Sequence, residues 1–396
     1  MRVALLSRAA HPLHPPGGME KAVYHLATRL QARGVETVLV TRPPTRAERF
    51  PGEVVTVPYG GGEGHGRVLD RTLRYPRFSA RVGEAVAEMV RAGRVDVVDA
   101  QGLCALGYGR RRRAEPTLRA PLVMNPQGLE EHQATGLKRL ALSRLRALSR
   151  EAARLSDRVI ATDEATRADV PRLLGVEASR VAVIPNGIEP RELARLTPAD
   201  PRAFVHAAVP ALAETSLLFL SVGRLEGYKG FGDVLEALAR LHGRSALPAR
   251  WAWVVSGEGP TRRALEQRAR NRLAGHTHFL GGVDSAMLHA LYARADVFVH
   301  APHYEGSSLV TLEAMAHGLP VVATRAGGIP DKVRHEETGR LVAPGDVDGL
   351  AAALDVLAAD PSRRHEMGRR GRARAEADFA WESIIERVLA LYRSLL

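Results

Sequence analysis

APHYEGSSLVTLEAMAHGLPVVAT, residues 301–324, follows one short apolar strand, Val297 to His300, and runs into a second, Pro320 to Ala323. Between them Leu309, Leu312, Ala316 and Leu319 recur at helical spacing, which predicts a helix over Ser308 to His317. Ser307 and Ser308 can cap its start, and Gly318 followed by Pro320 ends it. A strand–loop–helix unit aims backbone N–H groups and the positive end of a helix at whatever lies above the sheet edge. Glu305 stands in the loop before that helix and Glu313 within it.

Two carboxylates beside an anion site make little sense if both serve the anion. They suit a ligand with phosphates at its middle and hydroxyls at both ends, because a carboxylate accepts well from two adjacent hydroxyls. A nucleotide-sugar is such a ligand. The stretch resembles the signature of the family 4 retaining glycosyltransferases: two Glu separated by seven residues, EAMA, then G-x-PVVAT. The resemblance implies that Glu305 serves the donor sugar at the catalytic centre. It places Ser307, Ser308, Leu309, Val310 and Glu313 among the donor-binding residues, with Glu313 on the ribose.

The chain's 396 residues suffice for two domains with sizeable cores, and 45% apolar residues is ordinary for a soluble protein. No apolar run reaches the length of a membrane span. MRVALLSRAAHP reads as a first strand rather than a signal peptide, so a cytoplasmic location is expected. Cys104 is the only cysteine, which excludes an intramolecular disulfide and a cysteine metal cluster. The formal net charge is +12, yet only four of the 56 basic residues are lysines: Lys21, Lys138, Lys229 and Lys332. Residues 1–200 carry 32 basic and 22 acidic side chains, against 24 and 22 in residues 201–396. Aromatics are only 5% and do not interleave with the basic residues, so a nucleic-acid partner is not expected.

Short apolar runs alternate with amphipathic ones throughout. Strands are predicted at Val3–Ser7, Thr37–Thr41, Val54–Val57, Val95–Asp99, Leu122–Asn125, Val159–Ala161 and Val181–Ile184. The series restarts at Leu217–Val222, Trp253–Ser256, Val297–His300 and Val321–Ala323. Helices fall between, among them Gly18–Arg33 and one from about 67 to 92. Such βαβ alternation implies an α/β protein of two doubly wound, parallel-sheet, Rossmann-like domains. With the resemblance, this becomes the GT-B fold, two domains facing across a cleft. The Pro- and Ala-rich stretch 190–214 separates the two series. Expected bounds are 1–195 for an acceptor-side domain and 196–375 for a nucleotide-sugar domain. A last helix in 376–396 would cross back, with Ile384, Ile385, Val388, Leu389 and Tyr392 on one apolar face.

Other motifs extend the expected site. Gly17-Gly18 opens a helix whose N–H groups can meet an anion, and resembles the family loop that approaches the donor diphosphate. GGGEGHG at 60–66 lacks the GK[ST] of a phosphate cradle and reads as a loop on the acceptor side. At 127–128 the family usually has His-Gly, the His meeting the donor sugar; here Gln127-Gly128 can still donate and accept but cannot titrate. Arg224 and Lys229 match the element G-R-x-x-x-x-K-G, whose cations hold the diphosphate. Gly257 and Glu258 in VVSGEGP, and Gly282 and Val283 in FLGGV, match segments near the nucleotide.

The implied activity is transfer of a sugar from a nucleotide-sugar to an acceptor hydroxyl with retained anomeric configuration and no metal requirement. The acceptor is open: a sugar, a lipid-linked glycan or a small molecule, in cell-envelope, glycolipid or glycoside synthesis. Two other readings stand beside it: a non-catalytic nucleotide-sugar-binding protein or subunit, motivated by Gln127, and a nucleotide-sugar epimerase. Residues 136–158 are predicted as one helix with Leu137, Leu140, Leu145, Leu148, Ala152 and Leu155 on one face and basic residues on the rest. With the run Arg110 to Arg113, that face could dock on an anionic membrane, placing the enzyme on the inner face of the membrane.

Overall fold

The computed structural model describes residues 1–15, 17–60, 70–127, 129–133 and 136–396. The chain divides into two units, Met1–Gly187 with Trp381–Leu396, and Ile188–Ala380. The sequence puts these bounds at 195 and 375; they lie instead where two passages of the chain run side by side. Ile188 N donates to Phe379 O at 2.8 Å, and Ile188 bridges Ala380. The stretch 190–214 belongs to the second unit. It forms the helices Pro190–Leu196 and Pro201–Ala208, each begun by a capping carboxylate, Glu189 and Asp200, with Pro in the first turn.

The first unit holds β1 (Arg2–Leu6), β2 (Glu36–Thr41), β3 (Glu53–Thr56), β4 (Val97–Gln101), β5 (Leu122–Asn125), β6 (Arg158–Ala161) and β7 (Val181–Val183). They form one sheet in the order β3-β2-β1-β4-β5-β6-β7, parallel throughout. The second unit holds β8 (Leu217–Val222), β9 (Trp251–Ser256), β10 (Thr277–Gly281), β11 (Val297–His300), β12 (Val321–Thr324) and β13 (Gly339–Val342). Their order is β10-β9-β8-β11-β12-β13, again parallel. Both are doubly wound sheets of the GT-B class.

Winding reverses between β1 and β4 in one sheet and between β8 and β11 in the other. The loops leaving those strands diverge there and open a crevice at the carboxyl edge, where ligands bind in such sheets. Central strands such as β4, β8 and β9 are buried at every residue, as helices on both faces require.

β10 and β13 have no counterpart among the predicted strands. Each pairs with a single neighbour at a sheet edge, and THFLG and GRLV lack the apolar run of a central strand. The predicted helix 136–158 is two helices, Gly136–Ala141 and Ser143–Leu155, broken at Leu142. Leu145 and Ala152 are buried as the pattern requires, whereas Leu140 is 73% exposed.

The last helix, Trp381–Arg393, belongs to the first unit. It buries Trp381, Ile384, Ile385, Val388, Leu389 and Tyr392 in a cluster with Leu5, Leu26 and Leu39. Burial of each large side chain is worth about 1.5–3 kcal/mol. Among the described residues no helix is long and apolar enough to cross a membrane.

Candidate functional site

In the second unit the loop after β8 carries Arg224 and Lys229, and the loop after β11 carries Glu305. Lys229 spans the switch point between these strands. Its Nζ donates to both carboxylate oxygens of Glu305, at 3.0 and 2.9 Å. Glu305 Oε2 also accepts from His300 Nε2 at 2.6 Å, and Oε1 from the backbone N–H of Gly306 at 3.2 Å. His300 is the last residue of β11 and is buried. Burial by itself pushes the Glu305 carboxyl up; the hydrogen bond and charge of His300, then Lys229, outweigh it and hold the group at about 2. Glu305 is therefore an ionised carboxylate held in place by Lys229 and His300. Its loop is pinned by Gly327, whose φ of +49° and contact with the Glu305 carbonyl leave no room for a side chain.

Arg224 lies in the same loop as Lys229 but is exposed, donating to Tyr228 Oη at 3.3 Å and standing 3.7 Å from Glu226. Ser308 occupies the cap position of the helix Leu309–Ala316 without a side-chain bond to its backbone; its hydroxyl pairs with Thr311 Oγ1 at 2.8 Å. The expected capping by Ser308 thus does not form, because a second hydroxyl one turn on competes for it. Ser307 Oγ is buried and has no hydrogen-bond partner. A sealed hydroxyl without a partner costs about 1–3 kcal/mol. Glu313 accepts from Tyr292 Oη at 3.1 Å; the Tyr292 ring stacks on His317 at 5.5 Å and 9°.

The first unit assembles a separate polar cluster around Gln127, which follows β5. Gln127 takes a left-handed backbone, φ +62°, with its N–H donating to Asn125 Oδ1 at 2.9 Å. A non-glycine residue there stores strain that the surroundings must hold. Its Nε2 donates to Gln101 Oε1 at 2.8 Å, and its Oε1 accepts from Asn186 Nδ2 at 3.1 Å. Gln101 Nε2 in turn donates to Asp99 Oδ1 at 2.9 Å, and Tyr392 Oη donates to Asp99 Oδ2 at 2.7 Å. Asp99, Gln101, Asn125, Gln127 and Asn186 line a cavity of about 30 Å³ together with Trp381 and Ile384. Burial lifts the Asp99 carboxyl to about 6 against the pull of Tyr392 and Gln101.

Comparison with known proteins adds to these two clusters. Residues 16–192 match the family model "Glycosyltransferase Family 4", and residues 205–374 match "Glycosyl transferases group 1". A protein named glycogen synthase from Mycobacterium tuberculosis is 31% identical over 404 residues, covering 96% of this chain and 92% of its own. The chain belongs to glycosyltransferase family 4. A D-inositol 3-phosphate glycosyltransferase of Actinosynnema mirum is also 31% identical, covering 99% of this chain and 96% of its own. Among solved structures, Anabaena HepE with UDP and glucose superimposes with a TM-score of 0.76 at 20% identity, covering 100% of both chains. The catalytic domain of Arabidopsis thaliana starch synthase IV, bound to ADP and acarbose, does so with 0.78 at 18%, covering 100% of this chain and 99% of that one.

The remaining residues expected from the family pattern fall as follows. Gly17 is the cap residue of the helix Gly18–Ala32 and makes no side-chain cap bond, and the Glu20 carboxylate lies against it. Gly257 has φ +143° and packs against the Gly223 carbonyl, so its glycine is demanded first by the protein's own backbone. Glu258 is exposed and ion-paired with Arg262. Gly282 is exposed and Val283 half-buried, just past β10. Arg224, Lys229, Glu305, Ser307, Ser308 and Glu313 therefore lie on the loops and helix that follow β8 and β11, whereas Glu258 is turned onto the start of the helix Arg262–Arg272. Gly128 and residues 61–66 lie outside the described residues.

The pattern of the family did not supply His300, Asp99, Gln101 or Asn186. His300 carries a signal, a histidine closing an apolar strand five residues before Glu305. Asp99 carries one too, a lone carboxylate inside the apolar run VVDAQ.

Proposed function

We propose that this enzyme takes a nucleotide-sugar donor at the carboxyl edge of the second unit and transfers its hexosyl group to an acceptor hydroxyl with retention of configuration, without a metal. The observation that carries the reading is the Lys229–Glu305 pair at the switch point between β8 and β11. It gives a cation for a diphosphate and a locked carboxylate for sugar hydroxyls a few ångströms apart. The HepE and starch synthase structures hold UDP, glucose or ADP, which supports a nucleotide-linked donor.

In this reading Arg224, Lys229 and the start of the helix Leu309–Ala316 meet the charge that develops on the leaving diphosphate, stabilisation by donors already in place. Glu313 holds the ribose. Glu305, held at about 2, is a poor base and a poor nucleophile; it orients the donor sugar, and attack on the same face as the departing diphosphate gives retention. Gln127 donates to the sugar near the reacting carbon. Gly17, Gly18, Gly257, Glu258, Gly282 and Val283 complete the donor-side residues. The site of action is cytoplasmic, and peripheral on the inner face of the membrane through the basic helices of 136–155.

The test is incubation with UDP-, ADP- and GDP-linked hexoses. Slow release of nucleoside diphosphate from one of them, accelerated by an added acceptor, is expected, with a product whose anomeric proton coupling matches the donor. A stable protein whose melting temperature none of the donors raises would sink the reading.

A further inference from the structure

Arg8 stands just past β1, on the switch point of the first unit, beside the end of β4. Its guanidinium carbon lies 5.4 Å from the ring centroid of Tyr75 and 6.0 Å from that of Tyr59. Tyr75 is itself fixed, its hydroxyl donating to Gln101 O at 3.3 Å and lying 3.7 Å from Cys104 Sγ. Burial pushes the Tyr75 hydroxyl well up and the Cys104 thiol to about 12, so both are neutral at physiological pH.

Arg8 is half-buried, and the groups acting on it are Tyr75, Tyr59 and Cys104. Among the described residues no carboxylate is paired with it. Half-buried Arg112 and Arg262 are bonded to Asp157 and Glu266, and half-buried Arg180 and Arg364 to backbone carbonyls, whereas Arg8 has aromatic rings and a thiol around it. A cation drawn out of water between neutral walls is costly unless an anion completes it. The aromatic faces and a hydrogen bond with the Tyr59 hydroxyl supply part of that compensation, and the remaining donors of the planar fork are left for an oxyanion.

The neighbourhood ties this cation to the reaction centre. Tyr75 bonds the backbone of Gln101, and the Gln101 side chain accepts from Gln127. We propose that Arg8, clasped by Tyr59 and Tyr75, is an acceptor-binding residue. It anchors the phosphate or carboxylate of a small anionic acceptor, a sugar or polyol, whose free hydroxyl is presented beside Gln127. The proposal rests on the reading above for the role of Gln127.

The test is ligand-observed NMR on the full chain held in saturating nucleoside diphosphate, so that the donor cations are occupied. The probes are glucose 1-phosphate, glucuronate, inorganic phosphate and methyl α-glucoside. One or more of the anions should bind while the neutral glucoside does not, and which anion binds identifies phosphate or carboxylate. Arg8→Gln should weaken that anion by about tenfold or more, the worth of a charge-assisted contact, and Arg8→Lys should weaken it less. Nucleoside diphosphate affinity should be unchanged in both variants, which also reports that they fold. Equal binding of the neutral glucoside, no binding of any anion, or anion binding indifferent to Arg8→Gln overturns the proposal. Should Arg8→Gln fail to fold, the wild-type comparison of anionic with neutral probes and the Arg8→Lys variant decide it. Failure of the nucleoside diphosphate itself to bind is a separate result, which strikes the donor reading; the probes are then titrated without it.

Discussion

Lys229 and Glu305, 76 positions apart in sequence, form a two-pronged ion pair across the switch point of the second sheet. Both side chains are mostly withdrawn from solvent, at 16% and 10% exposure. Lys229→Ala should therefore cost roughly tenfold to a hundredfold in nucleoside diphosphate affinity, one charge-assisted hydrogen bond of about 1.5–3 kcal/mol. Glu305→Gln should leave diphosphate affinity at or above the wild-type level, because the lysine is released, while transfer falls. Glu313→Ala should weaken the nucleotide through its ribose. Calorimetry with the diphosphate alone separates the three, and unchanged affinity in Lys229→Ala removes that residue from the phosphates.

The same pair sets a pH dependence. The folded carboxyl of Glu305 sits at about 2 against an ordinary 4.5, so the unfolded chain binds its proton more readily. The contribution, roughly 3 kcal/mol, is complete above about pH 4.5 and is lost as pH falls towards about 2. Glu305→Gln lacks it. Urea melts at roughly pH 6 and roughly pH 3 should show the wild type's advantage over Glu305→Gln shrinking in acid. An advantage of constant size would mean the carboxylate is not held by His300 and Lys229.

Much of this was legible in the sequence, for reasons that can be named. Central strands such as β5, β8 and β11 are apolar runs bounded by turn residues, and their predicted limits coincide with the observed ones. The edge strands β10 and β13 were not legible, because a strand paired on one side needs no such run. Leu142 breaks the helix 136–158 although Leu is a good helix former; its burial in the first unit's core overrides propensity. At the site, the resemblance to the family motifs located Lys229 and Glu305 but not that they bond each other, since that depends on β8 lying next to β11. Nor does a linear pattern join Asp99 to Tyr392, 293 positions away.

Asp99 gives a third prediction. Its carboxyl is raised to about 6 from an ordinary 3.8, so here the folded state binds the proton more tightly. Stability from this group is greatest below about pH 4 and declines by roughly 3 kcal/mol as pH rises through about 6. Asp99→Asn removes that titration but presents an amide NH₂ to one of the two donors, Gln101 or Tyr392, a loss of about 1–3 kcal/mol. The variant should be less stable than wild type at roughly pH 4 and close to it at roughly pH 7. Melts in the two buffers check this, and a deficit that does not change with pH would show that Asp99 does not titrate in this range.

The last prediction concerns the basic helices Gly136–Ala141 and Ser143–Leu155. Not every arginine there is available to a surface. Arg150 donates to Leu173 O at 2.8 Å, Arg154 to Gly175 O at 3.4 Å, and Arg110 is bonded twice to Glu151. These close the carboxyl end of the helix Glu164–Leu174 and join neighbouring elements, so replacing them tests folding rather than docking. Arg139 and Arg144 are exposed, and between them Leu140 is an exposed apolar side chain. A leucine flanked by cations suits the interface of an anionic bilayer, where each basic residue near the surface is worth about 1 kcal/mol. The chain should sediment with vesicles containing anionic lipid at low ionic strength and be released by about 0.5 M salt, where exposed charges are screened. Arg139→Gln with Arg144→Gln should reduce the bound fraction several-fold, and Leu140→Ser should reduce it without altering the salt response. Nucleoside diphosphate affinity should be untouched in both variants. Absence of sedimentation at low salt would leave these helices as packing elements of the first unit.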